Sequence, residues 1–308
     1  MELLIGAFIN SLSSAAIFAL IAFGYHLTFI TTDTLNFSQG EFVMLGGLIG
    51  VMLSTNWQND GALSGSTRPL WNYWVVFLIS VIIMTFAGVL LERFVMRPFG
   101  GGSISIGWIM STVALTFVIQ NIAETLYGKD KQPLPAMVDA PPLQIAGQAF
   151  DWQKIINIGI VAVVIAGLQY FFTRTMLGKS LRAVAFNPAA ASLMGINVNY
   201  VRMVAFGIAG GLTGIAGFIL APQAIGGGIS PSEPAQVFGI LAFAVAIIGG
   251  LDNLKGIAIA ALLYSFTSQL IQQYISNDLS RATTFVLLII ILAVKPTGFF
   301  GRTLVQKV

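Results

Sequence analysis

Cysteine is missing from this chain of 308 residues, which excludes a disulfide framework, a cysteine-held metal site and thiol chemistry. Histidine occurs once, as His26, so no pair of histidines at helical spacing exists to hold a metal. Charge is the third scarcity: 9% of the residues are charged, against about 25% in an ordinary soluble domain. A chain this long with so few charges cannot clothe a globule in a wetted polar surface. The basic residues are dispersed at the ends of apolar runs, whereas a nucleic-acid surface needs them clustered. Neither a nucleophile elbow nor paired carboxylates at catalytic spacing occur, so no catalytic residue and no cofactor is expected. Gly178-Lys179-Ser180 superficially suggests a phosphate loop. The position five residues before Gly178 should then be glycine and is Thr173, and the preceding element is an apolar helix where the motif requires a strand. This chain is not expected to hydrolyse ATP.

What is present is apolar: 56% of residues are hydrophobic and 33 are glycine. Lipid is the natural solvent for such a chain, and there every backbone group must be satisfied internally. Glycine is frequent in membrane helices because it lets them approach closely. No strand-like alternation argues for a barrel. The expected fold is all-α, a polytopic integral membrane bundle of about eight or nine transmembrane helices forming one domain over residues 1–308. Apolar runs near the length of about 20 residues that a crossing needs fall at 3–30, 35–54, 72–91, 107–127, 155–172, 201–221, 237–251, 256–273 and 282–294. No basic segment precedes the first run, so no cleavable signal peptide is expected. With the connection 173–200 and the C-terminus inside, ten basic residues lie inside and five outside (Arg68, Lys129, Lys131, Lys154 and Arg281). That is the sign of bias the positive-inside rule demands, with the N-terminus outside and nine crossings.

Two segments interrupt the pattern. Thr31-Thr32-Asp33-Thr34-Leu35-Asn36-Phe37-Ser38-Gln39-Gly40-Glu41 is polar, and the apolar run 42–53 after it has only 12 residues. Such a run spans about 18 Å of a hydrocarbon core about 30 Å thick. Either the helix stops short or the polar stretch lies within the membrane, where an ionised carboxylate costs about 2.5–3.5 kcal/mol. Asn36, Ser38, Gln39 and Glu41 are therefore candidates for a substrate pathway, with a plain interhelical loop as the alternative. The second interruption, Gly226-Gly227-Gly228-Ile229-Ser230-Pro231-Ser232-Glu233-Pro234, precedes another short run, so breaks fall near 33–41 and 226–236. Paired breaks in two halves are a pointer to a solute path; an ordinary external loop is the competing reading. Thr112, Thr116, Gln120 and Glu124 recur every four residues, with Asn121 alongside. They share one helix face, which lines a path or supplies interhelical hydrogen bonds. Gly207 with Gly211, Gly210 with Gly214, and Gly46 with Gly50 are packing grooves. His26 is expected to be a hydrogen-bonded structural residue.

The connection 173–200 is basic at first and then rich in small residues, with Asn187-Pro188 placed to cap and start a short helix and Gly195 to end it. Gly178-x-x-x-Arg182-Ala183-x-x-x-Asn187-Pro188-x-x-Ala191-x-Leu193-x-Gly195-Ile196-Asn197 resembles the cytoplasmic loop of branched-chain amino acid permeases of ABC importers. Leu35-Asn36-Phe37-Ser38-Gln39-Gly40-Glu41, Ala246-Ile247-Ile248-Gly249-Gly250-Leu251-Asp252-Asn253-Leu254-Lys255-Gly256 and Lys295-Pro296-Thr297-Gly298-Phe299-Phe300-Gly301 are similar to other signatures of that family. The resemblance runs end to end and is closest to the smaller, H-type subunit. It implies a permease in a bacterial inner membrane that forms a heterodimer with a homologous second permease. Two cytoplasmic ATPases would dock on loops such as this one, here through Gly178, Arg182, Ala183, Asn187, Ala191, Leu193, Gly195 and Ile196. A periplasmic solute-binding protein would deliver neutral amino acids, branched-chain ones first. The chain departs from the family at Asn187-Pro188, where an acidic pair is common, and at Gln39, where His is common; the second bears on substrate choice. Urea, amides and other small solutes remain alternatives, as does a stand-alone ion-coupled transporter using Glu41, Glu124 and His26.

Overall fold

The computed structural model describes residues 2–54, 73–99, 106–134, 136–138, 141–145, 148–223, 228–231, 236–295 and 298–301. In chain order the helices are α1 (Glu2–Thr32), α2 (Gln39–Ser54), α3 (Tyr73–Leu90), α4 (Arg97–Phe99), α5 (Gly107–Tyr127), α6 (Trp152–Arg174), α7 (Met176–Phe186), α8 (Pro188–Leu193), α9 (Val198–Leu220), α10 (Gln236–Gly249), α11 (Leu254–Tyr274) and α12 (Asn277–Val294). A π-helical turn, Leu91–Met96, joins α3 to α4 without a break. The apolar helix therefore runs past residue 91, where a connection was expected from Glu92 and Arg93 onward. Two small antiparallel ladders also form between helices: β1 (Gln132–Pro133) with β4 (Gly228–Ile229), and β2 (Leu143–Ile145) with β3 (Gln148–Phe150).

Six of the described helices are long and apolar enough to cross a membrane: Gly6–Thr32, Tyr73–Phe99, Gly107–Tyr127, Trp152–Arg174, Val198–Gln223 and Leu254–Tyr274. Gln39–Ser54, Val237–Gly249 and Phe285–Val294 are apolar but shorter. The chain is a multi-pass membrane helix bundle. The connection 55–72, with Arg68, and the tail with Arg302 and Lys307 lie outside the described residues. So do 224–227 and 232–235, which cover most of the second interruption read from the sequence.

The bundle is built around α9, which packs against α1, α2 and α3. In lipid there is no hydrophobic drive between helices, so association depends on close packing and hydrogen bonds. The glycines of α9 supply the closeness. A Cβ on Gly46 of α2 would come within 2.6 Å of the Gly214 carbonyl oxygen. One on Gly217 would overlap the Val43 carbonyl, and Gly210 and Gly88 meet at the crossing of α9 with α3. All three G-x-x-x-G pairs are thus helix-packing grooves. Ser80 Oγ of α3 donates to the Gly46 carbonyl at 3.1 Å, and Asn157 Nδ2 of α6 donates to the Ile219 carbonyl at 3.1 Å. Such bonds satisfy polar groups that lipid cannot. The outer helices turn apolar side chains outward, among them Ile82 and Phe86 of α3 and Phe117 and Ile122 of α5.

Gly217→Ala should destabilise the protein by about 1–3 kcal/mol, the usual cost of overpacking, because its methyl group meets backbone on α2. Gly167→Ala on α6, where nothing lies within 4 Å, should leave stability unchanged. Thermal unfolding of the two variants in detergent measures the difference.

Candidate functional site

The polar stretch after α1 folds into a compact turn inside the bundle. Thr31 and Thr32 donate their hydroxyls back to α1 carbonyls, so their polarity is spent within the helix. Asp33 then adopts a left-handed conformation, φ 53°, which Asp tolerates better than most residues. Asn36 organises the rest of the turn. Its Oδ1 accepts from the Ser38 N–H at 3.1 Å and from Ser38 Oγ at 2.6 Å, and its Nδ2 donates to Gln39 Oε1 at 3.0 Å. The Gln39 amide presses against Gly24 of α1, eight residues before Thr32. At 1.5 Å per residue the chain has climbed back about 12 Å before α2 begins. The short α2 is therefore explained: the polar stretch lies within the bundle, at a depth where α1 still has two turns to run.

All four pathway candidates from this stretch are buried: Asn36 and Ser38, which close the turn, and Gln39 and Glu41, which begin α2. Gln39 Nε2 and both carboxylate oxygens of Glu41 are buried without a hydrogen-bond partner. Unpaired buried polar groups are costly and mark places where a structure does something besides pack. Gly40 sits against Gly239 of α10, and Phe37 stacks on Trp108 of α5 with ring centroids 6.1 Å apart. The turn is thereby held between α1, α5 and α10.

The other candidates divide. Thr112 and Thr116 are buried, yet their hydroxyls bond to Trp108 and Thr112 carbonyls of their own helix. They do not bridge helices. Gln120 is half-buried and its Nε2 approaches Glu124 Oε1 at 3.5 Å. Asn121 and Thr125 beside them face out of the chain. His26 is a structural residue: its Nδ1 lies 2.7 Å from the Leu251 carbonyl, which can only accept, so the proton sits on Nδ1. It ties α1 to the α10–α11 turn. No hydrogen bond joins His26, Glu41 and Glu124 among the described residues.

The 173–200 segment forms two helices, α7 and α8, where a single short one was expected. Asn187 caps α8 by accepting from the Ala190 N–H at 3.0 Å, Pro188 is its first residue, and Gly195 at φ 83° comes just after its end. Gly178 and Ala191 are buried anchors, Ala183 and Ile196 are half-buried, and Arg182, Asn187, Leu193 and Gly195 are exposed. Three large apolar side chains also stand out from this polar connection: Phe186, Leu193 and Met194, between 83% and 89% exposed.

Sequence reading missed the Glu92–Arg97 ion pair, 2.8 Å, whose carboxylate is buried. In an α-helix, residues five apart point to different sides. The π-helical turn, with its i to i+5 periodicity, stacks them. A Glu with an Arg five residues later in an apolar helix was the available signal. The signatures 246–256 and 295–301 also meet: Asn253 Nδ2 donates to the Phe300 carbonyl at 3.1 Å, and Gly250, φ 94°, lies against Gly301 where no Cβ would fit.

Comparison with known proteins decides the family. The model for a family described as the permease component of the branched-chain amino acid transport system matches residues 7–293. The chain belongs to that family. Among curated permeases it is 27% identical over 304 residues to the high-affinity branched-chain amino acid transport system permease protein BraD of Pseudomonas aeruginosa, covering 97% of this chain and 96% of BraD. LivH of Escherichia coli, from a system of the same description, is 27% identical over 308 residues, with the same coverage of both chains. A probable branched-chain amino acid permease, LivH of Methanocaldococcus jannaschii, is 24% identical, covering 92% of this chain and 88% of its own. No solved structure matches the permease.

Asn36→Ala removes the acceptor for both Ser38 donors and should destabilise the permease by about 1–3 kcal/mol. Glu41→Gln removes no hydrogen bond and should unfold no earlier than the wild type. Thermal unfolding of the purified variants separates the turn-building residue from the unpaired one.

Proposed function

We propose that this permease is the transmembrane subunit of an ABC importer that moves neutral, branched-chain amino acids across a bacterial inner membrane. The observation that carries the reading is the family match over residues 7–293, nearly the whole chain. Its relatives BraD and LivH are named as high-affinity branched-chain amino acid permeases. The chain crosses the membrane nine times in this reading, the three shorter apolar helices supplying crossings beside the six long ones.

The solute path runs past the break at 33–41 and along α5, with Asn36, Ser38, Gln39, Glu41, Thr112, Thr116 and Gln120 as its candidates. The unpaired Gln39 amide and Glu41 carboxylate favour the break as the part of the path that meets solute. On α5, Asn121 and Thr125 face outward next to half-buried Gln120 and Glu124; Asn121 Nδ2 and Thr125 Oγ1 donate to carbonyls of their own helix, and Asn121 Oδ1 accepts no hydrogen bond among the described residues. Polar groups on a membrane helix need a protein or water neighbour. A homologous second permease beside α5 supplies it, with the path between the two chains.

Force enters through the coupling loop 173–200. Phe186, Leu193 and Met194 would each be wasted in water, and together they suit the apolar cleft of a cytoplasmic ATPase. One of two ATPases docks there and the other on the partner permease. ATP-driven closure then biases the pair between outward and inward openings. A periplasmic binding protein delivers the solute and sets most of the specificity.

Vesicles containing the assembled transporter should accumulate labelled leucine only with ATP. Leu193→Asp should reduce that uptake at least tenfold and release the ATPases, while membrane insertion and thermal stability of the permease stay unchanged, because Leu193 buries nothing within the chain. Uptake without any ATPase subunit would refute the reading.

A further inference from the structure

A cavity of about 200 Å³ opens where the end of α1, the π-helical turn and the start of α9 converge. Its walls are Thr32, Thr34, Glu92, Met96, Arg97, Asn199 and Arg202. It lies at the end of the bundle that leads into α7 and α8, because α9 comes directly after α8. Its volume suits a small solute, below the usual range for larger ligands of about 300–1,000 Å³.

The lining charges do not cancel. Glu92 is fully engaged: Arg97 donates Nε at 3.1 Å to one carboxylate oxygen and Nη2 at 2.8 Å to the other. Arg97 also reaches the Asn199 carbonyl at 3.4 Å, which holds the cavity wall together. Arg202 is half-buried, and among the described residues its one hydrogen bond is from Nε to the Thr31 carbonyl at 3.3 Å. That bond fixes the planar guanidinium against the end of α1. The remaining nitrogens carry a charge that no carboxylate among the described residues balances. Asp33 and Arg93 nearby are exposed and do not line the cavity. Thr32 Oγ1, whose proton goes to the Thr28 carbonyl, accepts from Thr34 Oγ1 at 2.6 Å, so both hydroxyl protons in this wall are spent within the chain.

We infer that this cavity is a carboxylate site for the solute, with Arg202 as the ion partner. A fixed guanidinium whose two Nη atoms bond to nothing among the described residues matches a carboxylate in a paired geometry. Met96 lines the cavity as an apolar wall. The site takes an amino acid by its α-carboxylate, at the Thr34 end of the break at 33–41, as the last station before release on the side of α7 and α8. This assignment rests on the transport reading above.

The test is thermal unfolding of the full-length chain in mild detergent, titrated with leucine, leucinamide, inorganic phosphate or phosphatidylglycerol. Leucine should raise the unfolding temperature, and leucinamide, which lacks the carboxylate, should not. Arg202→Gln should weaken the leucine response about ten- to hundredfold, and Arg202→Lys should restore part of it. Equal responses to leucine and leucinamide, no response to leucine, or an undiminished response in Arg202→Gln would overturn the site. So would a response to phosphate or phosphatidylglycerol alone, which would assign the charge to a phosphate or lipid headgroup. ATP-driven leucine uptake by the wild type alongside any of these negative results would remove the site and leave the transport reading standing. Absence of uptake of any neutral amino acid would remove that reading itself.

Discussion

Backbone-to-backbone contact along α9 is the constraint on which the rest of the structure depends. Lipid offers no hydrophobic reward for bringing two apolar helices together, so contact distance and hydrogen bonds must do it. Gly210, Gly214 and Gly217 let α2 and α3 come as near to α9 as a main chain allows. With those helices seated, Ser80 reaches the Gly46 carbonyl and Asn157 reaches the Ile219 carbonyl. The position of α2 in turn places its first turn, and with it Gln39 and Glu41, deep in the bundle.

That depth leaves a polar turn enclosed by helices. A chain that turns back inside the bundle must satisfy its polar groups, and Asn36 does this for the Ser38 N–H, the Ser38 hydroxyl and the Gln39 side-chain carbonyl. The turn is thereby self-sufficient, while the Gln39 amide nitrogen and the Glu41 carboxylate remain unpaired. One half of the segment builds the break, and the other half carries the unpaired groups on which the proposed solute path rests. At the end of the bundle that carries α7 and α8, a second polar region forms around the Glu92–Arg97 pair and Arg202. The last turns of α1 join the two regions, with Gly24 against Gln39 and Thr32 in the cavity wall.

Much of this was legible in the residues, for reasons that can be named. The scarcity of charge and the length of the apolar runs announce a membrane bundle, because lipid leaves few alternatives. A 12-residue apolar run after a polar stretch pointed to a break at 33–41 or to a plain loop, and the cap at Asn187 and the stop at Gly195 came from local chemistry alone. Other features have no local signature. Thr112 and Thr116 fall on the buried face as their spacing required, but nothing in that spacing says that their hydroxyls bond to their own helix. The Glu92–Arg97 pair depends on a π-helical turn, and the β1–β4 ladder pairs residues almost a hundred positions apart. Arg202 looked like one basic residue among ten on the inner side; only the fold places it in a cavity wall.

The central claim is that this chain works as one part of an ATP-driven assembly. Affinity purification of the tagged chain from native membranes in mild detergent, with the co-purifying subunits identified by mass spectrometry, tests it most directly. The account predicts a second permease and two ATPase subunits in stable ratio. A chain that purifies alone, and that transports after reconstitution without ATP, would contradict it.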